Sequence, residues 1–363
     1  MIRLDGVGKT FPGAASPAVT SLSLDIAPGE IVVLVGPSGC GKTTTLKLIN
    51  RLIEPSSGKI EVEGRDIASV PPHELRRGIG YVIQQVGLFP HRTIAENIAT
   101  VPRLLGWDRA AIDERIDELI ELVRLDVAMR DRYPHELSGG QRQRVGVARA
   151  LAADPPVLLL DEPFGAVDPI VRARLQEELL RLHRALRKTM VLVTHDVDEA
   201  IRLGDKVAIL NIGGVLEQFA PPSEILAAPA NPFVESFLGS DRGIKRLSLI
   251  AIRDVDLEGG PVVDIHADTA TARRVMEEYG VDWFGISREG QLLGWAWASE
   301  LAGDLSPKDI EPRRFEVRLK PADSLREALD TVITTRTRVA PVFEEDRFLG
   351  MLSAEAIARE VTS

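Results

Sequence analysis

Two rhythms of apolar and polar positions divide the chain. Ile31–Val35 and Val157–Leu160 are unbroken apolar runs, and each ends directly in a loop of glycine or polar residues. Runs of that length without alternation predict strands buried on both faces, as in a parallel sheet covered by helices. Between and beyond them Ile112, Ile116, Leu119, Ile120 and Val123 recur at helical spacing, as do Leu175, Leu179, Leu182 and Leu186. These stripes predict helices that turn one face to a core. The alternation of strand and helix up to about residue 240 predicts an α/β unit, a class that places ligands at the ends of its parallel strands.

Around Asn231 to Arg242 this rhythm stops and a repeat begins. At a constant offset of 56, Ala272, Met276, Ile286, Glu289, Leu293, Gly294 and Ala298 match Ala328, Val332, Val342, Glu345, Leu349, Gly350 and Ala354. The pattern predicts two copies of a helix, strand, turn, strand unit.

Composition narrows the picture. The 363 residues are 44% hydrophobic and 27% charged, as in a globular protein of more than one domain. Lys and Arg total 44 against 54 Asp and Glu, a net charge of -10 that opposes binding to nucleic acid or anionic lipid. No apolar run approaches the roughly 20 residues that cross a bilayer, and the N-terminus lacks the pattern of a secretory signal. Any membrane association is therefore expected to run through a protein partner. The single Cys40 rules out an internal disulfide framework and fits a reducing compartment.

The chemistry is concentrated in the first unit. Gly36 to Thr43, GPSGCGKT, fits a phosphate-binding loop between strand and helix. In such a loop, glycines let backbone N–H groups converge on a polyphosphate, Lys42 supplies a point charge and Thr43 offers a hydroxyl to Mg²⁺. The strand Val157–Leu160 ends in Asp161 and Glu162, which can take different tasks: Asp161 the metal shell, Glu162 the attacking water. Cys40 reads as a small side chain filling a tight turn. The histidines outside these motifs, His73, His91, His135, His183 and His266, show no metal-ligand spacing.

LSGGQ, Leu137 to Gln141, is not a general feature of phosphate-loop proteins, and with it residues 1 to about 240 resemble the ATP-binding-cassette (ABC) family. The resemblance implies a P-loop NTPase fold with a helical signature subdomain at about 88–145. It also implies ATP and Mg²⁺ as ligands. Phe11 stands where the family stacks an aromatic on adenine. Gln84 in GYVIQQVGLFPH resembles the Q-loop glutamine that contacts the metal, Ala166-Val167-Asp168 the D-loop, and His195 in VTHD the switch histidine. Gly36, Ser38, Gly39, Cys40, Gly41, Lys42, Thr43 and Thr44 fall in the nucleotide loop. Ser138, Gly139, Gly140 and Gln141 open a helix, forming a second anion site with no phosphate loop facing it in the same chain. The family closes that site over the γ-phosphate held by a second copy, so the resemblance implies a head-to-tail homodimer glued by two ATP molecules.

LFPHRTIAENIA, after Gln84, resembles the part of import cassettes that grips a separate transmembrane permease. QRQR (Gln141 to Arg144), FGAVDP with Val167, and FVESFLGSDR resemble the branch that imports glycine betaine, choline and carnitine. The expected protein is then an ATPase peripheral to the cytoplasmic face of the inner membrane, served indirectly by a substrate-binding protein. The same cassette could drive import of another small solute, such as an amino acid, or act away from transport altogether. Over about residues 246–300 and 310–360 the C-terminal repeat resembles a tandem of cystathionine-β-synthase (CBS) modules, an α+β domain that the resemblance implies gates such importers by ionic strength or a nucleotide. It departs from nucleotide-binding modules in offering Ser299-Glu300 and Ser353-Ala354-Glu355 where those place an aspartate. It also lacks the acidic tail of some ionic-strength sensors, ending at Ser363. Arg336 and Arg338 could form a cationic face; Trp283, Trp295 and Trp297 read as core or interface.

Overall fold

The structure is a computed structural model that describes residues 1–84, 87–165, 167–301, 305–335 and 338–362. The expectations for Ala166, Arg336 and Ser363 lie outside them, as do Gln85 and Val86 of the Q-loop stretch. The chain divides into two compact units, Met1–Gly239 and Ser240–Ser363.

The first unit holds two sheets. β1 (Ile2–Lys9), β2 (Val19–Ile26), β4 (Ser57–Val62) and β5 (Arg65–Asp66) form an antiparallel sheet in the order β2-β1-β4-β5. β3 (Ile31–Val35), β6 (Ile79–Val82), β7 (Val157–Asp161), β8 (Thr189–Val193), β9 (Lys206–Asn211) and β10 (Val215–Ala220) form the second. Its order is β10-β9-β3-β8-β7-β6, parallel except for β10.

β3, β7 and β8 are buried at every position, as their unbroken apolar runs predict. Alternate residues of β3 enter two different cores. Ile31, Val33 and Val35 pack with the helices Arg109–Leu122, Gly139–Leu151 and Pro169–Leu186, and Val32 and Leu34 pack with β1, β2 and the helix Lys42–Ile49. The period-two pleat thus lets one apolar run join both layers. The antiparallel sheet is an addition to the expected parallel one. Its strands alternate buried and exposed positions, the signature of a sheet covered on one face.

In the second unit the repeat is borne out element by element. The helix Thr269–Tyr279 and strands β12 (Trp283–Arg288) and β13 (Gln291–Trp297) recur as the helix Leu325–Thr335 and strands β14 (Val339–Glu344) and β15 (Arg347–Ser353). Each bound is shifted by the same offset, Thr269 to Leu325 and Trp297 to Ser353. The hairpin turns repeat as well, with Glu289 and Glu345 at φ 52° and 54°. A further strand, β11 (Val262–Asp264), runs parallel to β12, and the second copy keeps only a single parallel bridge, Leu319 to Val342, at the equivalent place. The copies end differently: a 3₁₀ turn, Ala298–Glu300, in the first and a helix, Ala354–Thr362, in the second.

Candidate nucleotide site

Four neighbouring parallel strands, β3, β8, β7 and β6, deliver the site. The loops that leave their C-terminal ends carry Lys42, His195, Glu162 and Gln84 in that spatial order. Residues spread from 42 to 195 therefore share one edge of the sheet, where parallel α/β folds collect their chemistry.

The loop after β3 needs its glycines. A Cβ on Gly36 would lie 2.1 Å from the Leu210 carbonyl oxygen, and Gly41, at φ 105°, would place one 2.6 Å from that of Ala18. Only glycine lets the backbone turn so tightly into the helix Lys42–Ile49. Ser38 and Gly39 form the exposed crest. Lys42 is only 7% exposed, and its Nζ donates to the carbonyls of Gly36 at 2.7 Å and Pro37 at 3.0 Å, so the charge is held over the loop. Cys40 is fully buried and its N–H donates to Pro37, which makes it a turn-filling residue. Thr44, the third residue of that helix, is half-buried.

Thr43 Oγ1 donates to Asp161 Oδ1 at 2.8 Å, joining the loop to the end of β7. Burial pushes the Asp161 carboxyl above the usual carboxylate range, the Thr43 hydroxyl opposes that, and the Glu162 charge adds to it. The Tyr81 side chain on β6 lies near Asp161, and burial followed by the Asp161 charge raises the Tyr81 phenol well above its ordinary value. Sequence reasoning passed over Tyr81, because nothing local links it to a carboxylate 80 positions away.

Glu162 stands at φ 45°, a left-handed conformation uncommon outside glycine, with its N–H held by the Val193 carbonyl. Gln84 Nε2 donates to its Oε2 at 2.8 Å, and His195 Nδ1 lies 3.5 Å from its Oε1. The expected catalytic residues Gln84, Glu162 and His195 thus meet. Beneath His195 runs a buried network that the sequence did not reveal: Thr194 Oγ1 donates to Glu199 Oε2 at 2.6 Å and Gln176 Nε2 donates to Glu199 Oε1 at 3.1 Å. Burial, ahead of the opposing Thr194 hydroxyl, raises the Glu199 carboxyl.

Ser138 caps the helix Gly139–Leu151 through a reciprocal box with Gln141: its hydroxyl accepts from the Gln141 N–H, and its own N–H donates to Gln141 Oε1 at 2.8 Å. The Ser138 N–H is taken, leaving its hydroxyl proton and the N–H groups of Gly139 and Gly140 to face an anion. Phe11 is 40% exposed in the loop after β1, with Lys9 Nζ 5.3 Å from its ring centroid, so it is not a core residue. Asp168 caps the helix Pro169–Leu186 by accepting from the N–H groups of Ile170 and Val171.

Phosphate loop, acid pair and signature helix on this sheet define an ATP-binding cassette. The ABC transporter family model matches residues 19–165 and the CBS domain model matches residues 308–363. The osmoprotectant import ATP-binding protein OsmV of Salmonella typhimurium is 46% identical over 373 residues, spanning 100% of this chain and 97% of its own length. The glycine betaine/carnitine/choline transport ATP-binding protein OpuCA of Bacillus subtilis is 45% identical over 98% of this chain and 94% of its own. Among solved structures, the dimeric ATP-binding cassette MJ0796 bound to ADP and Pi aligns with a TM-score of 0.55 at 33% identity, covering 61% of this chain and 99% of that one. The chain belongs to the ATP-binding subunits of ABC transporters, as an ATPase with a C-terminal CBS domain. Among the described residues no helix is long and apolar enough to cross a membrane.

Proposed function

We propose that this subunit hydrolyses ATP between two copies of itself to drive import of a quaternary amine osmoprotectant. The nucleotide residues fit their ligands. Gly36 to Thr44 supply the phosphate cradle and Lys42 its charge, and Phe11 offers a ring to adenine. Thr43, Asp161 and Gln84 present the oxygen donors that suit Mg²⁺. Magnesium there would neutralise charge on the triphosphate oxygens. Glu162, oriented by Gln84 and His195, accepts a proton from the attacking water, a contribution of about 10²- to 10⁴-fold. Ser138, Gly139 and Gly140 of the second copy close the site, their helix positioned by the Gln141 bond.

A permease fits beside this site. Tyr81, Ile83, Phe89, Arg76, Arg77 and Arg149 line a groove of about 360 Å³ next to the Q-loop strand. Asn97 fixes its rim by accepting from the Phe89 N–H and donating to the carbonyls of Phe89 and Arg92. Docking there would hold the subunit at the cytoplasmic face of the membrane. We read 246–300 and 310–360 as the two CBS modules, and 88–145 as the helical subdomain.

The observation that carries the cargo is that similarity to osmoprotectant importers runs through the whole chain, C-terminal unit included. Uptake of labelled glycine betaine, choline and carnitine into vesicles holding the cognate permease tests it. ATP-dependent uptake of at least one is expected; transport of an unrelated solute alone would replace the cargo.

A further inference from the structure

Three of the four tryptophans, Trp283, Trp295 and Trp297, gather on one face of the β12–β13 hairpin. With Phe315 they line a cavity of about 790 Å³ whose far wall comes from the second copy of the repeat, at Thr331 and Pro341. The rings meet edge to face, Trp283 against Trp295 at 6.4 Å, Trp283 against Phe315 at 5.9 Å and Trp295 against Trp297 at 4.9 Å between centroids.

Simple core packing does not account for this cluster. Trp297 is 40% exposed, at the edge of a cavity rather than inside a core. Trp283 is 4% exposed, yet its indole N–H is buried without a hydrogen-bond partner, whereas buried tryptophans ordinarily find one. The same cavity is lined by Arg314, which has no ion pair among the described residues, and by Glu316. Arg313 is already engaged, ion-paired to Glu300 and lying over the Trp295 ring.

Faces of several aromatic rings attract a cation that cannot form hydrogen bonds, and a guanidinium on the same wall attracts a carboxylate. We propose that this cavity binds a quaternary ammonium carboxylate of the kind the transporter imports. The trimethylammonium group sits among Trp283, Trp295 and Trp297, and the carboxylate faces Arg314. The choice of ligand rests on the import reading above. Adenine could stack on the same rings, but Glu300, the acid after β13, is occupied by Arg313 and by the Trp297 N–H. A cavity larger than such a zwitterion keeps solvent beside it, which weakens binding, so the site reports a solute only once it has accumulated.

The test uses the full chain carrying Trp107→Phe, so that fluorescence reports on this cavity alone. Titration with glycine betaine should give a saturable change, and 3,3-dimethylbutyrate, the same shape without the positive charge, should give none. Trp297→Leu should weaken glycine betaine by about tenfold. Arg314→Gln should weaken glycine betaine several-fold while leaving choline, which has no carboxylate, unchanged. ATPase activity of both variants should match the parent. The proposal is overturned by an absent response, by an equal response to 3,3-dimethylbutyrate, or by AMP saturating the signal where glycine betaine does not. Vesicles that import betaine with a chain that fails to bind it would refute this site alone; a chain that binds betaine in vesicles that import another solute would refute the cargo alone.

Discussion

Gln84 Nε2 donates to Glu162 Oε2 at 2.8 Å across 78 positions of sequence, joining the end of the outermost parallel strand to the acid at the end of its neighbour. The bond makes the carboxylate sensitive to the segment that leads towards the proposed permease groove. Movement of that segment would withdraw the amide and free Glu162 to turn.

Glu162→Gln should keep nucleotide binding and lower the ATPase rate by about 10²- to 10⁴-fold, the contribution of a positioned base. The neutral amide keeps the size of the side chain and loses the proton acceptor. Light scattering with ATP should show the dimer accumulating, and a variant hydrolysing ATP at the parent rate would remove Glu162 from the mechanism.

Two inactive variants should rescue one another if each site is built from two copies. Lys42→Ala removes the phosphate charge and Ser138→Arg obstructs the signature helix, so neither homodimer should turn over. A mixed dimer has one site in which both halves are intact, and mixing should restore measurable ATPase activity. No recovery in a mixture shown by cross-linking to contain heterodimers would exclude composite sites.

Tyr81→Phe removes the hydroxyl near Asp161. Loss of one hydrogen bond to a carboxylate is worth about 1.5 kcal/mol, or roughly tenfold in rate if felt in the transition state. Activity should fall by about that factor, and the Mg²⁺ concentration for half-maximal rate should rise. An unchanged Mg²⁺ dependence would make Tyr81 a packing residue only.

Glu199→Gln should change how stability depends on pH. Burial raises the Glu199 carboxyl in the folded chain above its ordinary value of 4.5, so the stability this group contributes is full below that value. It is lost as pH rises through the higher folded value, because the ionised form is disfavoured inside. The melting temperature of the variant relative to the parent should therefore climb from about pH 4.5 towards neutrality. A difference independent of pH would mean that Glu199 does not titrate with folding.

Much of this protein was legible in its residues because the informative patterns are local. A phosphate loop is eight consecutive positions, a buried strand is a short apolar run, and a repeat is a fixed offset, so Gly36 to Thr43, Val157–Leu160 and the copies around Thr269 and Leu325 declare themselves. Phe11 and Ser138 were likewise placed by motif, although only the coordinates show that the first is exposed and that the second has its N–H taken by Gln141.

What tertiary structure alone decided depends on pairs far apart in sequence. The strand order β3-β8-β7-β6 brings Gln84, Glu162 and His195 together, and no local pattern encodes which parallel strands become neighbours. Tyr81 near Asp161, Glu199 bonded to Thr194 and Gln176, and the three tryptophans around one cavity follow from the same cause. Local sequence determines which elements form, because backbone bonding and side-chain periodicity act over a few residues; their arrangement is set by burial of apolar faces, which joins residues regardless of their distance along the chain.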